Sequence, residues 1–153
     1  HRGTEGTLME YVNFGKAGVK VSRIALGLSF REQSNPSEAQ KVVERAFDLG
    51  ITFFDCANVY GPTGRDAFDA GHSEKILGRV IKGRRNEVVI TTKVSGPVGT
   101  GPNDSGLSRY HIMREVERSL KHLLPGARLS RRNPARGRRR RSWRRSRCNG
   151  RRR

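Results

Sequence analysis

The run Thr52-Phe53-Phe54-Asp55-Cys56-Ala57-Asn58-Val59-Tyr60-Gly61 constrains the fold more than any other stretch of the chain. It begins as a short apolar segment, the pattern of a strand buried on both faces, and then turns polar. On a strand, Phe53 and Asp55 project to one side and Phe54 to the other. The acid therefore sits at the carboxyl end of a buried strand, with a tyrosine on the loop that follows. Open α/β sheets and (β/α) barrels place their chemistry at that position. Alone, the pair also fits a capping Asp and a surface Tyr. A second run, Val88-Val89-Ile90-Thr91-Thr92-Lys93, ends on a lysine. As neighbours the two strands would lie about 5 Å apart, and Asp55, Tyr60 and Lys93 would converge on one mouth.

The segments between these strands have helical spacing. Ser37-Glu38-Ala39-Gln40 fits a capping box with Ser37 as N-cap. Ala39, Val42, Val43, Ala46 and Phe47 follow on one face, and Gly50 supplies the stop. A second helix, capped by Ser73, carries Ile76, Leu77, Val80 and Ile81 and ends at Gly83. A third, capped by Ser108, places Ile112, Met113, Val116, Leu120 and Leu123 together. Upstream, Tyr11 to Phe14 and Val19 to Ser22 flank a glycine-containing loop and read as a β-hairpin, with Ile24 to Leu28 as the first buried strand. Strands alternating with helices through short turns give parallel strands with right-handed crossovers. Gly96-Pro97-Val98-Gly99-Thr100-Gly101 has the wrong spacing for a dinucleotide fingerprint and opens no helix, which argues against a Rossmann phosphate site.

The 153 residues suit one ordinary domain. A formal net charge of +18 suggests a polyanionic partner, but the charge is unevenly spread. Residues 1–123 hold 18 basic and 14 acidic residues, while residues 124–153 hold 14 arginines and no acid. A mildly basic domain is joined to a cationic tail. Two cysteines, Cys56 and Cys148, give neither a disulfide framework nor a metal spacing, and a reducing, cytoplasmic setting is expected. No run is long and apolar enough for a membrane span, and the first residues do not form a signal peptide. Residues 1–8 read as a disordered extension, with Met9 as a candidate natural start.

Taken together, residues 9–123 resemble the amino-terminal part of the aldo-keto reductases. The resemblance rests on the hairpin, Leu26-Gly27, Asp55 with Tyr60-Gly61, Ser73-Glu74 with Leu77-Gly78, and Val89 to Lys93. It implies an α/β fold, an incomplete (β/α)8 TIM barrel of an N-terminal hairpin and about three βα units. It also implies NADPH-dependent reduction of a small aldehyde or ketone, with Tyr60 as proton donor assisted by Lys93 and Asp55. A free tyrosine titrates near 10, and a cation within reach favours its phenolate, easing proton transfer to the forming alkoxide. The resemblance further points to Gly27, Leu28, Ser29 and Asp55 at the cofactor and to no metal. Cys56 reads as a small packed residue, because no base is evident near it.

After Leu123 the family continues into a fourth strand that ends at a catalytic histidine, whereas this chain turns to Leu124-Pro125-Gly126-Ala127-Arg128 and then to arginine. His1, His72, His111 and His122 are all expected at the surface. A full (β/α)8 barrel needs about 250 residues, and in the family the later strands hold most of the NADPH. An open third strand would expose apolar surface. A poorly folded fragment with little or no reductase activity is therefore expected. Residues 124–153 admit three readings: a frameshift product, an arginine-rich arm that binds nucleic acid through its phosphates, or an unstructured solvating tail. Any such tail would attract nucleic acid non-specifically.

Overall fold

The computed structural model describes residues 9–31, 33, 35–62 and 70–126. The expectations for residues 1–8 and for the tail beyond residue 126 lie outside the described residues. The elements run in order β1 (Tyr11–Asn13), β2 (Lys20–Ser22), β3 (Ala25–Gly27), α1 (Pro36–Asp48), β4 (Phe53–Asp55), α2 (His72–Val80), β5 (Val89–Thr91) and α3 (Arg109–Leu123). A short 3-10 turn, Arg85–Glu87, precedes β5.

β1 and β2 pair antiparallel, while β3, β4 and β5 form a parallel sheet in that order. The register aligns Leu26, Phe54 and Ile90 in one row and Gly27, Asp55 and Thr91 in the next. Successive side chains alternate across the sheet, and the first row faces the helices. Phe54 is fully buried there with Leu28, Val43, Ile76, Leu77 and Ile81, and Leu26 and Ile90 pack against the cluster. The second row therefore faces away from the helices.

The hairpin closes the opposite end of the sheet. The Phe14 and Phe53 rings meet edge to face at 5.2 Å between centroids. Ser22 and Thr52 exchange two hydrogen bonds, Ser22 N to Thr52 Oγ1 at 3.1 Å and Thr52 N to Ser22 Oγ at 3.0 Å. Tyr11 donates its hydroxyl proton to Gly50 O at 3.0 Å. With the amino ends of the strands covered, their carboxyl ends remain accessible for a site.

Two helix starts differ from expectation. α1 is capped by Asn35, whose Oδ1 accepts from Ser37 N at 3.0 Å. Pro36 takes the first helical position, where a missing N–H costs nothing, and this moves the start two residues ahead of the Ser37 capping box. α2 begins after Gly71, at φ +83°, while Ser73 lies inside the helix and donates to Ala57 O at 3.4 Å. Ser108 caps α3 as expected, accepting from His111 N at 3.1 Å.

α3 also turns a different face inward. Met113, Val116 and Leu120 are exposed, whereas His111, Glu115 and Ser119 are buried beside Leu123. The expected apolar stripe is not the packed one. The histidine expectation is overturned with it: His111 is 0 % exposed and His72 is 8 % exposed. His122 is largely covered, with its Nδ1 3.1 Å from Glu74 Oε2. Glu115, His122 and the Nδ1 of His111 meet polar partners inside the protein, which offsets the penalty that normally keeps such groups in water.

Candidate active site

Asp55 closes β4 between Gly27 and Thr91, on the face turned away from the helices. Both carboxylate oxygens are occupied. Oδ1 accepts from Thr91 Oγ1 at 2.6 Å, and Oδ2 accepts from Lys93 Nζ at 2.6 Å. The ammonium also donates to Cys56 O at 2.8 Å and lies 4.5 Å from the centroid of the Tyr60 ring. Asp55, Lys93 and Tyr60 are thus brought together as the sequence leads one to expect. Burial pushes the Asp55 carboxyl up, but its hydrogen bonds to Lys93 and Thr91 win and hold it below the usual carboxylate range. Burial likewise works against the Lys93 charge, and its hydrogen bonds to Asp55 and Tyr60 outweigh that and raise it above an ordinary lysine. Both groups are held charged.

The described part of the loop bearing Tyr60 is tied at several points. Asn58 N donates to Lys93 O at 3.1 Å, Tyr60 N to Ala57 O at 3.1 Å, and Ser73 N to Tyr60 O at 3.2 Å. Beneath it sit two buried carboxylates that sequence reasoning missed. Glu115, on α3, accepts from Asn58 Nδ2 at 3.2 Å and from Arg114 Nε at 3.2 Å. Arg114 in turn pairs with Asp104 at 2.8 Å, fixing the loop between β5 and α3. Glu74, on α2, accepts from Thr92 Oγ1 at 2.6 Å beside Lys93, and its other oxygen faces His122. Burial raises the Glu74 carboxyl, but hydrogen bonds from His122, Ser119 and Thr92 prevail and keep it below its ordinary value. One carboxylate moors the Tyr60 loop and the other moors the Lys93 strand end. The signal was present as His111, Glu115 and Ser119 at helical spacing, a pattern that matches a solvated stripe equally well.

The cofactor candidates divide by location. Leu28 is 0 % exposed, with its side chain in the core and its N–H donating to Asp55 O at 3.0 Å. Ser29 lines a cleft of about 310 Å³ together with Arg31, Val59, Tyr60 and Gly61. A side chain at Gly27 would meet no atom within 4 Å, so open space lies over that strand end. Cys56 is fully buried beneath the sheet end, and burial, followed by the nearby Glu74 charge, pushes its thiol up to about 12. It does not belong to the reactive set. Among the described residues no cluster has the makings of a metal site, and no helix is long and apolar enough to cross a membrane.

The match to known proteins covers the same elements. The Aldo/keto reductase family model matches residues 23–124. The chain belongs to the aldo-keto reductase family. It is 43% identical over 123 residues to the uncharacterized oxidoreductase YrpG of Bacillus subtilis, a match covering 75% of this chain and 36% of that protein. It is 34% identical over 121 residues to the L-glyceraldehyde 3-phosphate reductase of Escherichia coli K12, covering 75% of this chain and 33% of the relative. A solved structure of a Pseudomonas aeruginosa protein assigned to the aldo-keto reductases superposes with a TM-score of 0.59 at 33% identity, covering 76% of this chain and 43% of that one. The chain spans about a third of the length of the curated relatives it matches. Its membership of that family and its α/β fold are therefore established.

Proposed function

We propose that residues 9–123 supply the proton-donating part of an NADPH-dependent carbonyl reductase, built as the first three βα units of a (β/α)8 barrel. The observation that carries this reading is the convergence of Lys93 on Asp55 at 2.6 Å and on the Tyr60 ring at 4.5 Å. When bound, NADPH supplies the hydride that reduces the carbonyl carbon of a small aldehyde or ketone. As the C=O bond opens, the electron pair moves to oxygen, and Tyr60 gives its hydroxyl proton to that oxygen. The Lys93 ammonium offsets the negative charge left on the phenol. Asp55 keeps Lys93 charged and aimed, and Thr91 keeps Asp55 in place. Gly27 offers open space for a flat ring at the strand end, and Ser29 offers a hydroxyl on the cleft wall. The Leu28 side chain, packed in the core, serves as a support for that strand end.

The reductase named in Escherichia coli acts on an aldehyde, which agrees with this assignment of substrate class. With three βα units among the described residues, turnover by the 153-residue chain alone is expected to be slight or nil. The test is a chimera in which residues 9–123 replace the matching segment of the Escherichia coli reductase. Aldehyde-dependent NADPH oxidation is expected in the chimera, with loss of about a thousandfold in kcat on Tyr60→Phe. An active chimera indifferent to Tyr60→Phe would refute the assigned role.

A further inference from the structure

The cleft beside Tyr60 carries a cation that the proton-transfer chemistry does not use. Arg31 lines it together with Ser29, Val59, Tyr60 and Gly61. Its position is set by the backbone before it. Phe30 has φ +46°, a left-handed conformation unusual for a residue with a bulky side chain. Such a conformation persists only where the surroundings fix it. Here Phe30 packs against the core and its carbonyl accepts from Gln33 N at 3.2 Å, closing a turn with Arg31 at the corner. The turn holds Arg31 at the rim of the cleft.

Nor is the charge on Arg31 used by any other described residue. Among the described residues it makes no ion pair, whereas the two other charges of the mouth, Asp55 and Lys93, neutralise each other at 2.6 Å. Among the described residues, the cleft therefore presents one guanidinium without an ion-pair partner near the phenol that would meet the carbonyl oxygen. A guanidinium offers a planar fork of donors that matches carboxylate and phosphate oxygens.

We propose that Arg31 selects carbonyl substrates carrying an anionic group, a carboxylate or a phosphate, a few bonds from the reacting carbon. This rests on the reductase reading for the position of the carbonyl, while the anion contact itself does not depend on turnover. Arg31 is then a specificity residue, with no part in proton transfer.

The experiment uses the full chain, labelled with 15N, with NADPH present throughout. Succinic semialdehyde and butanal are titrated separately, and shifts are followed at residues 29–31 and 59–61. Succinic semialdehyde is expected to bind about tenfold more tightly than butanal. Arg31→Gln should abolish the difference, Arg31→Lys should restore part of it, and added salt should weaken only the anionic aldehyde. The arginines of the tail attract anions too, so only shifts at the cleft that respond to Arg31→Gln count in favour. Equal affinities, shifts confined to the tail, or an anion preference that survives Arg31→Gln would each overturn the proposal. So would weakened NADPH binding in Arg31→Gln with the aldehyde preference intact, because Arg31 would then serve the cofactor. Tyr60→Phe separates the two readings: the preference should survive it. Selective binding in a chimera that never reduces the aldehyde would sink the reductase reading and leave this one standing.

Discussion

α1 and α3 flank the same sheet and are built on opposite plans. Of the apolar face its spacing marks, α1 buries Ala39, Val43 and Ala46 and packs Phe47 partly, with Val42 left exposed. α3 buries His111, Glu115 and Ser119, and leaves Met113, Val116 and Leu120 in solvent. Both helices are amphipathic, so periodicity finds each of them. Which face turns inward depends on what lies opposite. The buried face of α1 meets core side chains. α3 faces the Tyr60 loop, where Asn58 presents a buried amide that requires a partner. The helix beside the mouth is a scaffold for hydrogen bonds, and the helix behind it is a scaffold for packing.

That contrast can be broken most sharply at Glu115. Glu115→Ala leaves the Asn58 amide and Arg114 without their buried acceptor, and the expected loss is roughly 3 kcal/mol in urea unfolding followed by circular dichroism. The counterpart in α1 is Val43→Ala, a simple loss of packing at a fully buried site, expected to cost about 2 kcal/mol in the same measurement. A larger cost at Val43 than at Glu115 would mean that the polar face of α3 is incidental.

The charged mouth adds a pH dependence with a defined sign. The Asp55 and Glu74 pKa values are lowered by folding, so their contribution is present above the ordinary carboxylate range and is lost as pH falls through the depressed values. Lys93 is raised, so its contribution is complete below the usual lysine value and disappears as pH climbs through the elevated one. Stability should therefore form a plateau between acid and alkaline limbs, and Asp55→Asn should flatten both, because it removes one titrating group and the partner of the other. An unchanged alkaline limb in Asp55→Asn would show that the pair is not formed in solution. The smallest effect is expected on the outer face of α3, where Met113→Ser or Val116→Ser should change stability by no more than about 0.5 kcal/mol. A loss near 2 kcal/mol there would show that the apolar stripe is covered in solution.

The elements legible in advance were those whose signals are local. Asp55 at the end of an apolar run, Lys93 at the end of another, and Ser108 before α3 each announce their position within a few residues. The helix starts at Asn35 and Gly71 were harder, because serine, proline and glycine compete to cap within the same few positions. The buried carboxylates were not legible at all. Glu74 and Glu115 look like surface acids until Thr92, His122 and Asn58 arrive from elsewhere in the chain to meet them. A buried polar residue is defined by its partner, and partners separated by tens of residues leave no local mark. Arg31 escaped notice for the same reason, since only the folded turn sets it against Tyr60.

Cys56 gives this architecture a built-in stopwatch. Its thiol lies wholly buried in the core near Glu74, and a pKa pushed up to about 12 leaves almost no thiolate at neutral pH. An alkylating reagent can reach it only when β4 parts from the helices. In a Cys148→Ser background, the labelling rate of this one sulfur would time how often the reaction chamber comes apart.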